Sequence, residues 1–349
     1  MASAVNARRI HRRFARLVTL QPWWLAGILL VVGLTGCGSL VPISAYGLQQ
    51  PSSTSPASVD GIADHGGFSF AVAVDQREFA GQGRYDSPRY FRGAAEAIKN
   101  VGGAALVISP GDIDPPSGIK WTLDQVLSSG VQWYPAVGNH EAETPEDMEW
   151  LRGYDWDANG PGLPPNVVRI GPAGCPDTTY SFDYANVHFA VLNEYCDTGG
   201  DTATDGDIPD HLYDWLATDL AETSQQHLFV IGHEPAFPQP DEDNGRLRHV
   251  GDSLDVHPEH RDRFWNLLRE RGVRAYIAGH THNYSAVQID GVWQIDGGHA
   301  RGDGDLGAPS TIVMVRVDGG SVSFDSYREV FDGNYDYRDI IHHGVIAGP

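Results

Sequence analysis

The sequence predicts an α/β fold in which two β-sheets pack together and helices cover their outer sides. Short apolar runs that end in polar clusters alternate with segments whose apolar residues recur at helical spacing. Between and after these units the apolar period changes to two, which is typical of β-hairpins. Together these observations favour a layered α/β fold over a helical bundle or an all-β sandwich.

Five apolar runs predict strands, and each run stops at a polar loop. They cover residues 68–74, 104–108, 131–137, 228–231 and 275–278. Apolar residues at helical spacing lie between these runs and predict helices with one buried face. The clearest sets are Tyr90, Phe91, Ala94, Ala95 and Ile98; Leu212, Trp215, Leu216 and Leu220; and Phe264, Trp265, Leu267 and Leu268.

Three segments alternate apolar and polar residues and predict hairpins. They are "YSFDYANVHFAVL" at 180–192, "VQIDGVWQI" at 287–295 and "VMVRVDGGSVSF" at 313–324. The second contains Asp290-Gly291, a dipeptide typical of a tight hairpin turn.

The N-terminal sequence predicts an export signal. Five arginines precede an uncharged apolar run of twelve residues, so residues 1–36 are typical of a signal peptide. The run is shorter than the ~20 residues of a membrane-spanning helix. It ends in Leu34-Thr35-Gly36-Cys37, which resembles the bacterial lipoprotein box. The resemblance implies a protein exported to the bacterial cell envelope and lipid-anchored through Cys37, with plain secretion as the alternative.

Composition divides the rest of the chain. Residues 37–66 are rich in Ser, Pro, Gln, Gly and Ala, which predicts a flexible linker behind the lipidated N-terminus. The remaining residues are enough for one large domain. We place this domain at 67–335 and a C-terminal tail at 336–349, and we expect a monomer.

Two cysteines remain besides Cys37. Cys175 and Cys196 are an even number in an exported protein, which predicts that they form a disulfide bond. Closing that loop would stabilise the fold by about 3 kcal/mol in the chain-entropy model. Two separate buried thiols are the alternative.

The charge of the chain excludes some partners. Removal of the signal peptide leaves 19 basic against 46 acidic residues, a formal charge of −27. Such a surface repels nucleic acid and anionic lipid. We therefore expect no nucleic-acid partner, and contact with a membrane through the lipid anchor only.

Polar residues follow the five predicted strands at the point where each strand ends. They are Asp75-Gln76-Arg77, Gly111-Asp112-Ile113-Asp114, Gly138-Asn139-His140-Glu141, Gly232-His233-Glu234 and Gly279-His280-Thr281-His282. Loops after strand ends are where α/β folds bind ligands. Imidazole and carboxylate groups together suit zinc, iron and manganese. The pattern predicts a metal site.

The motifs "SPGDID", "VGNHE", "IGHEP" and "AGHTH" occur in an order that resembles the calcineurin-like metallophosphoesterases, which include the purple acid phosphatases. The resemblance covers residues 68 to about 331. It implies a four-layer αββα sandwich, with two mixed β-sheets flanked by helices and a site for two metal ions at the strand ends.

The resemblance also implies ligands for each ion. Asp112 would bridge the two metals, and Asn139, His233 and His280 would complete the second metal's shell. The first metal would take Asp75, Asp112 and His282. His140 would face the substrate as a catalytic residue, or would only orient Asn139. The expected cofactors are one or two ions of iron, manganese or zinc.

Two positions depart from the family pattern. Most relatives place a histidine two residues after the first aspartate, and purple acid phosphatases instead use a tyrosine three residues after the bridging aspartate. Arg77 and Pro115 occupy these positions here. A guanidinium group has no lone pair for a metal. Three outcomes remain open: two metals with extra waters, one metal with Arg77 supplying positive charge, or a binding protein without turnover.

Arg77 and His299 are candidates for binding the substrate. Arg77 would bind a phosphate oxygen. His299, in "DGGHARGDG", would lie at the rim of the pocket, or would be a surface loop histidine.

The sequence therefore predicts a metal-dependent phosphoesterase that hydrolyses small phosphate mono- or diesters by attack of a metal-activated water. The alternative is a catalytically degenerate cell-surface binding protein that kept the fold and an incomplete first metal site. A nuclease is disfavoured by the acidic surface, since Lys99 and Lys120 are the only lysines.

Overall fold

The computed structural model describes residues 67–77, 87, 89–156, 162–301, 307–330 and 336–348. The predicted signal peptide, the lipidation site Cys37 and the linker lie outside the described residues. Among the helices that are described, none combines the length and the hydropathy that crossing a membrane requires.

The described residues form thirteen strands, six α-helices and one short 3₁₀ helix, Leu254–Val256. The strands are β1 Phe68–Val72, β2 Leu106–Ser109, β3 Gln132–Pro135, β4 Val167–Ile170, β5 Tyr180–Tyr184, β6 Val187–Val191, β7 His227–Ile231, β8 Ala275–Ala278, β9 Tyr284–Ile289, β10 Val292–Gly297, β11 Thr311–Asp318, β12 Ser321–Val330 and β13 Asp336–Ala347. The α-helices are α1 Phe91–Asn100, α2 Pro116–Val126, α3 Asn139–Glu143, α4 Pro145–Gly153, α5 Asp210–Glu222 and α6 Pro258–Arg271.

The strands assemble into two mixed sheets. One sheet has the order β13-β12-β11-β1-β2-β3, and the other has the order β4-β5-β6-β7-β8-β10-β9. β1, β2 and β3 run parallel to one another, as do β6, β7, β8 and β10. The carboxyl ends of each parallel set therefore share one edge of their sheet.

An apolar core between the sheets holds them together. Phe70 of the first sheet packs edge-to-face on Phe189 and Phe229 of the second, with ring centroids 5.2 and 5.4 Å apart. Tyr134 stacks on Phe182 at 3.6 Å across the same interface. These side chains are fully buried. Burial of such aromatic surface is the main favourable term in docking two sheets.

Helices cover the outer face of each sheet. The apolar side chains of α1 and α2 pack on the first sheet, and those of α5 and α6 pack on the second. The predicted helical sets are confirmed here, since Phe91, Leu216 and Phe264 are all buried in these outer cores. The αββα architecture is therefore the one that the sequence predicts.

The three predicted hairpins are β5–β6, β9–β10 and β11–β12, each paired antiparallel. The predicted disulfide is also present, because Cys175 and Cys196 are bonded, with Cα atoms 6.0 Å apart.

The prediction of a C-terminal tail at 336–349 is wrong for residues 336–347. Residues 336–347 form β13, which pairs antiparallel with β12 and extends the first sheet at its edge. The pairing contains three register shifts, and polar residues interrupt its apolar alternation. The sequence of this segment therefore lacks the regular apolar alternation that predicts a strand, although its backbone pairs with β12.

A buried histidine ties the second sheet to its outer helix. His188 on β6 bonds through Nδ1 to Asp183, at 2.7 Å, and through Nε2 to Asp219 on α5, at 2.8 Å. Burial by itself lowers the pKa of His188, but the two carboxylates outweigh it and raise that pKa above its usual value.

We expect His188→Gln to lower the free energy of unfolding by about 2 kcal/mol near pH 6, because the buried Asp219 loses one of its two cationic partners and the partly exposed Asp183 loses its imidazole. Since the folded pKa is raised, this stabilisation is fully present below about pH 6.5 and is lost as the pH rises through the folded value. Urea unfolding at several pH values measures the difference. His343→Gln, which changes an exposed histidine paired with Asp325, is the matched control. A loss of stability that does not depend on pH would contradict this account.

Candidate metal centre

The polar loops after β1, β2, β3, β7 and β8 meet at one end of the two sheets. Ligand atoms of Asp75, Asp112 and His282 all lie within 4.8 Å of one another, although the three residues come from distant parts of the chain. Asp75 and Asp112 are almost completely buried, and His282 is 8% exposed. The structure therefore brings the predicted first-metal residues together.

Four of the predicted ligands have a left-handed backbone. The φ angles are 50° for Asp75, 53° for Asp112, 68° for His280 and 57° for His282. Residues other than glycine adopt this conformation only at a cost, and such strain clusters at functional sites. The turns aim these side chains away from their strands and toward the shared pocket.

Two glycines permit the close approach of these loops. Gly138 lies so near Asp112 that a Cβ added to the glycine would be 2.4 Å from both the backbone nitrogen and Oδ1 of that aspartate. Gly111 has a φ of +84°, and a Cβ there would lie 2.5 Å from Nδ1 of His233. Side chains at these positions would force the ligand loops apart.

The predicted second-metal residues converge on His233. Its Nε2 lies 3.3 Å from Oδ1 of Asn139 and 3.5 Å from Oδ1 of Asp112. Its Nδ1 donates to the carbonyl oxygen of Pro110 at 2.8 Å, so the neutral ring carries its lone pair on Nε2. In that neutral form Nε2 is an acceptor that faces two oxygen acceptors, and a positive charge at this position, from a proton or a metal ion, would relieve their repulsion.

His280 joins this group through its ring. Its centroid lies 5.1 Å from that of His233, and its Nε2 donates to the carbonyl oxygen of Asp252 at 2.8 Å. The lone pair of the neutral ring is then on Nδ1. Burial, with the nearby rings of His233 and His249, lowers the pKa of His280 well below its usual value. A neutral imidazole is the form that binds metals.

The charge on His233 differs from that on His280. Burial alone would lower the pKa of His233, but the charges of Asp112 and Asp75 outweigh it and raise that pKa to about 9. The carboxylates thus hold an extra proton on His233, and a bound cation would replace it. Asp112, Asn139 and His233 offer the oxygen and nitrogen donors that divalent transition metals bind, and His280 lies beside them with its ring 5.1 Å from that of His233.

The first-metal residues fit an ion less well. Nε2 of His282 lies 3.4 Å from Oδ1 of Asp75. The Nδ1 atom of the same ring accepts a hydrogen bond from Arg248 at 2.8 Å. Because a guanidinium group can only donate, the hydrogen of the neutral imidazole must be on Nε2. That nitrogen then has no lone pair for a metal. The three ligand atoms are close enough for an ion, but their donor chemistry opposes one.

Arg77 lies beside Asp112, the aspartate that is predicted to bridge two metals. Its Nη1 is 3.8 Å from Oδ2 of Asp112 and donates to Nε2 of His140, and its Nε is 3.2 Å from Oδ1 of Asp114. Burial raises the pKa of Asp114 to about 7, with Arg77 acting against this rise and the charge of Asp112 adding to it. Arg77 therefore contributes positive charge at the position where relatives have a ligand.

The other two predicted site residues are also near the centre. His140 begins helix α3, and its backbone N–H donates to Oδ1 of Asp112 at 3.2 Å. His299 is completely buried, with its ring 6.0 Å from that of His282 and its Nε2 bonded to the carbonyl oxygen of Ala308 at 2.9 Å. The alternative that His299 is a surface loop histidine is therefore wrong.

Two buried glutamates hold the ligand loops in place. Glu141 accepts the backbone N–H groups of Asp112, Ile113 and Gly138, at 2.8–2.9 Å. Glu194 accepts those of His233 and Glu234, at 2.8 and 2.6 Å. Sequence reasoning missed both roles. Glu141 stands in the "VGNHE" motif and Glu194 directly follows the β5–β6 hairpin, so both positions carried a signal.

The sequence also did not identify Arg248 and Arg301 as residues of the site. Arg248 lies in the long loop between β7 and α6, and Arg301 follows β10. Arg248 stands in no motif, and Arg301 stands in "DGGHARGDG", two residues after the candidate His299, where nothing marks the arginine itself as a site residue.

Two sheets enclosed by helices, with carboxylate, amide and imidazole ligands at the strand ends, define a metallohydrolase-type scaffold. Residues 57–284 match the calcineurin-like phosphoesterase family, and the chain belongs to that family.

The chain is also similar to individual proteins. It is 27% identical over 165 residues to purple acid phosphatase 22 from Arabidopsis thaliana. The match covers 46% of this chain and 33% of that relative, so the chain spans about a third of the relative's length.

Two solved structures show the same fold. The structure titled GAP50, the anchor in the inner membrane complex of Plasmodium, has a TM-score of 0.52 at 12% identity and covers 80% of this chain and 89% of its own. PhoD has a TM-score of 0.52 at 14% identity and covers 81% of this chain and 72% of its own.

We expect His233→Ala to weaken Mn²⁺ binding by more than about tenfold, because the ligand is lost and two acceptors are left facing each other. Isothermal titration calorimetry measures the affinity. His260→Ala removes a partly exposed imidazole that bonds Asp207, away from the site, and serves as the control. Equal affinity in both variants would rule out this donor set.

Proposed function

We propose that the protein is an exported, lipid-anchored phosphoesterase that hydrolyses phosphate mono- or diesters with the help of a bound transition-metal ion. The observation that carries the proposal is the convergence of acceptor atoms from Asp112, Asn139 and His233. Membership of the calcineurin-like phosphoesterase family supports the same reaction class.

The second-metal residues would hold the ion. Such an ion supplies Lewis-acid activation of water and of the phosphoryl oxygens. The chain's own contribution is orientation: Pro110 and Asp252 accept hydrogen bonds that fix the tautomers of His233 and His280. Glu141 and Glu194 hold the backbone turns that carry these ligands. Little reorganisation is then needed when an ion binds.

Arg77 and His140 would act on the substrate. In the hydrolysis, a water oxygen forms a new bond to phosphorus, the ester P–O bond breaks, and a proton reaches the leaving oxygen. Arg77 is placed to bind a phosphoryl oxygen, because its guanidinium donates into the region between His140 and Asp112. We assign the proton transfer to His140, whose Nε2 lies 3.7 Å from Asp112 Oδ2 and becomes available for a proton once a phosphoryl oxygen replaces it as the acceptor of Arg77.

One observation favours a second candidate function. The bond from Arg248 to His282 removes a ligand from the first metal, which is the expectation for a binding protein that kept the fold and lost turnover. Membership of the family alone does not distinguish a phosphoesterase from a binding protein without turnover, so hydrolysis has to be measured.

We expect the purified protein to hydrolyse p-nitrophenyl phosphate or bis(p-nitrophenyl) phosphate when loaded with manganese, zinc, iron or cobalt. Asp112→Ala should lower kcat/KM at least about a hundredfold, because the ion contributes several kcal/mol of transition-state stabilisation. Any hydrolysis that remains in the Asp112→Ala preparation measures contaminating phosphatase. Absence of hydrolysis with all four metals would favour the binding protein.

The proposed location rests on residues outside the described part of the chain. We expect Cys37→Ser to move the protein from the membrane fraction to the soluble fraction of a bacterial host, because acyl chains would be its only membrane attachment. Fractionation followed by immunoblotting measures this change. Persistence of Cys37→Ser in the membrane fraction would overturn the lipid anchor.

A further inference from the structure

Three arginines from separate loops gather around the first-metal residues, and we refer to Arg77, Arg248 and Arg301 as the arginine cluster. Arg77 follows β1, Arg248 precedes α6 and Arg301 follows β10. Arg248 and Arg301 lie 2.8 and 3.5 Å from the same atom, Nδ1 of His282. Arg77 approaches Asp112 from the other side of the pocket.

Arg248 engages two imidazole rings through its planar fork. Its Nη1 donates to Nδ1 of His282, and its Nη2 donates to Nε2 of His249 at 3.1 Å. Nδ1 of His249 in turn donates to Asp252 at 2.7 Å. The grouping of His249, Asp252 and His280 also has ligand atoms within 4.8 Å of one another. Both ring nitrogens of His249 already take part in these hydrogen bonds, so this group of three residues does not fit a metal ion.

The guanidinium groups of Arg248 and Arg301 converge on one atom, Nδ1 of His282. Arg301 is only 6% exposed, and Arg77 has 10% of its side chain exposed. The electrostatic attraction of an anion to such buried groups is stronger than in bulk water. Guanidinium forks match phosphate oxygens in geometry as well as in charge.

The loop that carries Arg248 is fixed to the site. Arg246 donates to Oδ1 of Asn283 at 2.8 Å and to the carbonyl oxygen of His282 at 3.1 Å. Asp241 accepts the N–H of Tyr284 at 3.0 Å and pairs with the buried Arg328 at 2.7 Å. Arg248 is therefore held in position before any ligand binds, which lowers the ordering cost of binding.

We propose that the arginine cluster takes the place of the first metal ion, so that the protein holds one divalent cation and binds the terminal phosphate of a phosphomonoester through its arginines. A monoester offers three non-bridging oxygens and two negative charges to three guanidinium groups. A diester offers two such oxygens and one charge, and fits the cluster less well. Turnover of the monoester rests on the proposed function, whereas the ion count and phosphate binding do not.

The test measures binding separately from turnover. Calorimetric titration with Mn²⁺ should give one ion per chain, and titration of the Mn²⁺-loaded protein with inorganic phosphate should show binding. Arg248→Gln and Arg301→Gln should each weaken phosphate binding at least about tenfold, since each removes a charge-assisted hydrogen bond. Arg301→Gln should still bind one Mn²⁺, which also shows that it folds, and Arg248→Gln should bind at least one, because His282 loses the donor that fixes its tautomer.

Arg263→Gln is the matched control, because Arg263 pairs with Asp210 on the surface of helix α5. It should leave phosphate affinity unchanged. Two Mn²⁺ ions per wild-type chain, no phosphate binding by the wild-type protein, or full phosphate affinity in both cluster variants would each overturn the inference. Arginine-dependent phosphate binding without hydrolysis of any ester would uphold the inference and reject the proposed function.

Discussion

The repulsion among acceptor atoms at the strand ends is the constraint on which this structure depends. Oδ1 of Asn139 and Oδ1 of Asp112 lie 3.3 and 3.5 Å from Nε2 of His233, deep in the protein. A neutral His233 would place a third acceptor there, and the nearby carboxylates raise the pKa of His233 to about 9, so that the ring holds a proton instead. A cation, whether a proton or a metal ion, is therefore part of the stable state of the site.

The fold tolerates this constraint because other groups hold the loops in place. Four of the predicted ligand residues have strained left-handed backbones. The buried Glu141 binds the backbone of the turn at Asp112, and the buried Glu194 binds the backbone of the loop at His233. The aromatic core between the sheets anchors the strands that the turns follow. Rigid sheets, short glycine turns and buried acceptors together aim the ligands, which is how a site remains organised before it binds an ion.

Arginines distinguish this chain from the pattern of its family. Beside the first-metal residues, Arg77, Arg248 and Arg301 bring guanidinium groups close to Asp112 and His282. The donor from Arg248 determines which nitrogen of a neutral His282 carries the hydrogen. One hydrogen-bond partner thus makes the ring a donor toward Asp75.

The sequence by itself determined the layered α/β class and the disulfide partners, and it indicated the candidate ligands that directly follow apolar strands, because periodicity and strand-end motifs are local signals. Only the tertiary structure decided the contacts of Arg248 and Arg301, since Arg248 meets His282 from a loop 34 residues away and no local pattern marks that meeting. It also decided the place of β13, whose register shifts interrupt the alternation that marks a strand. Hydrogen-bond polarity depends on which groups meet in space, and the order of residues along the chain does not contain that information.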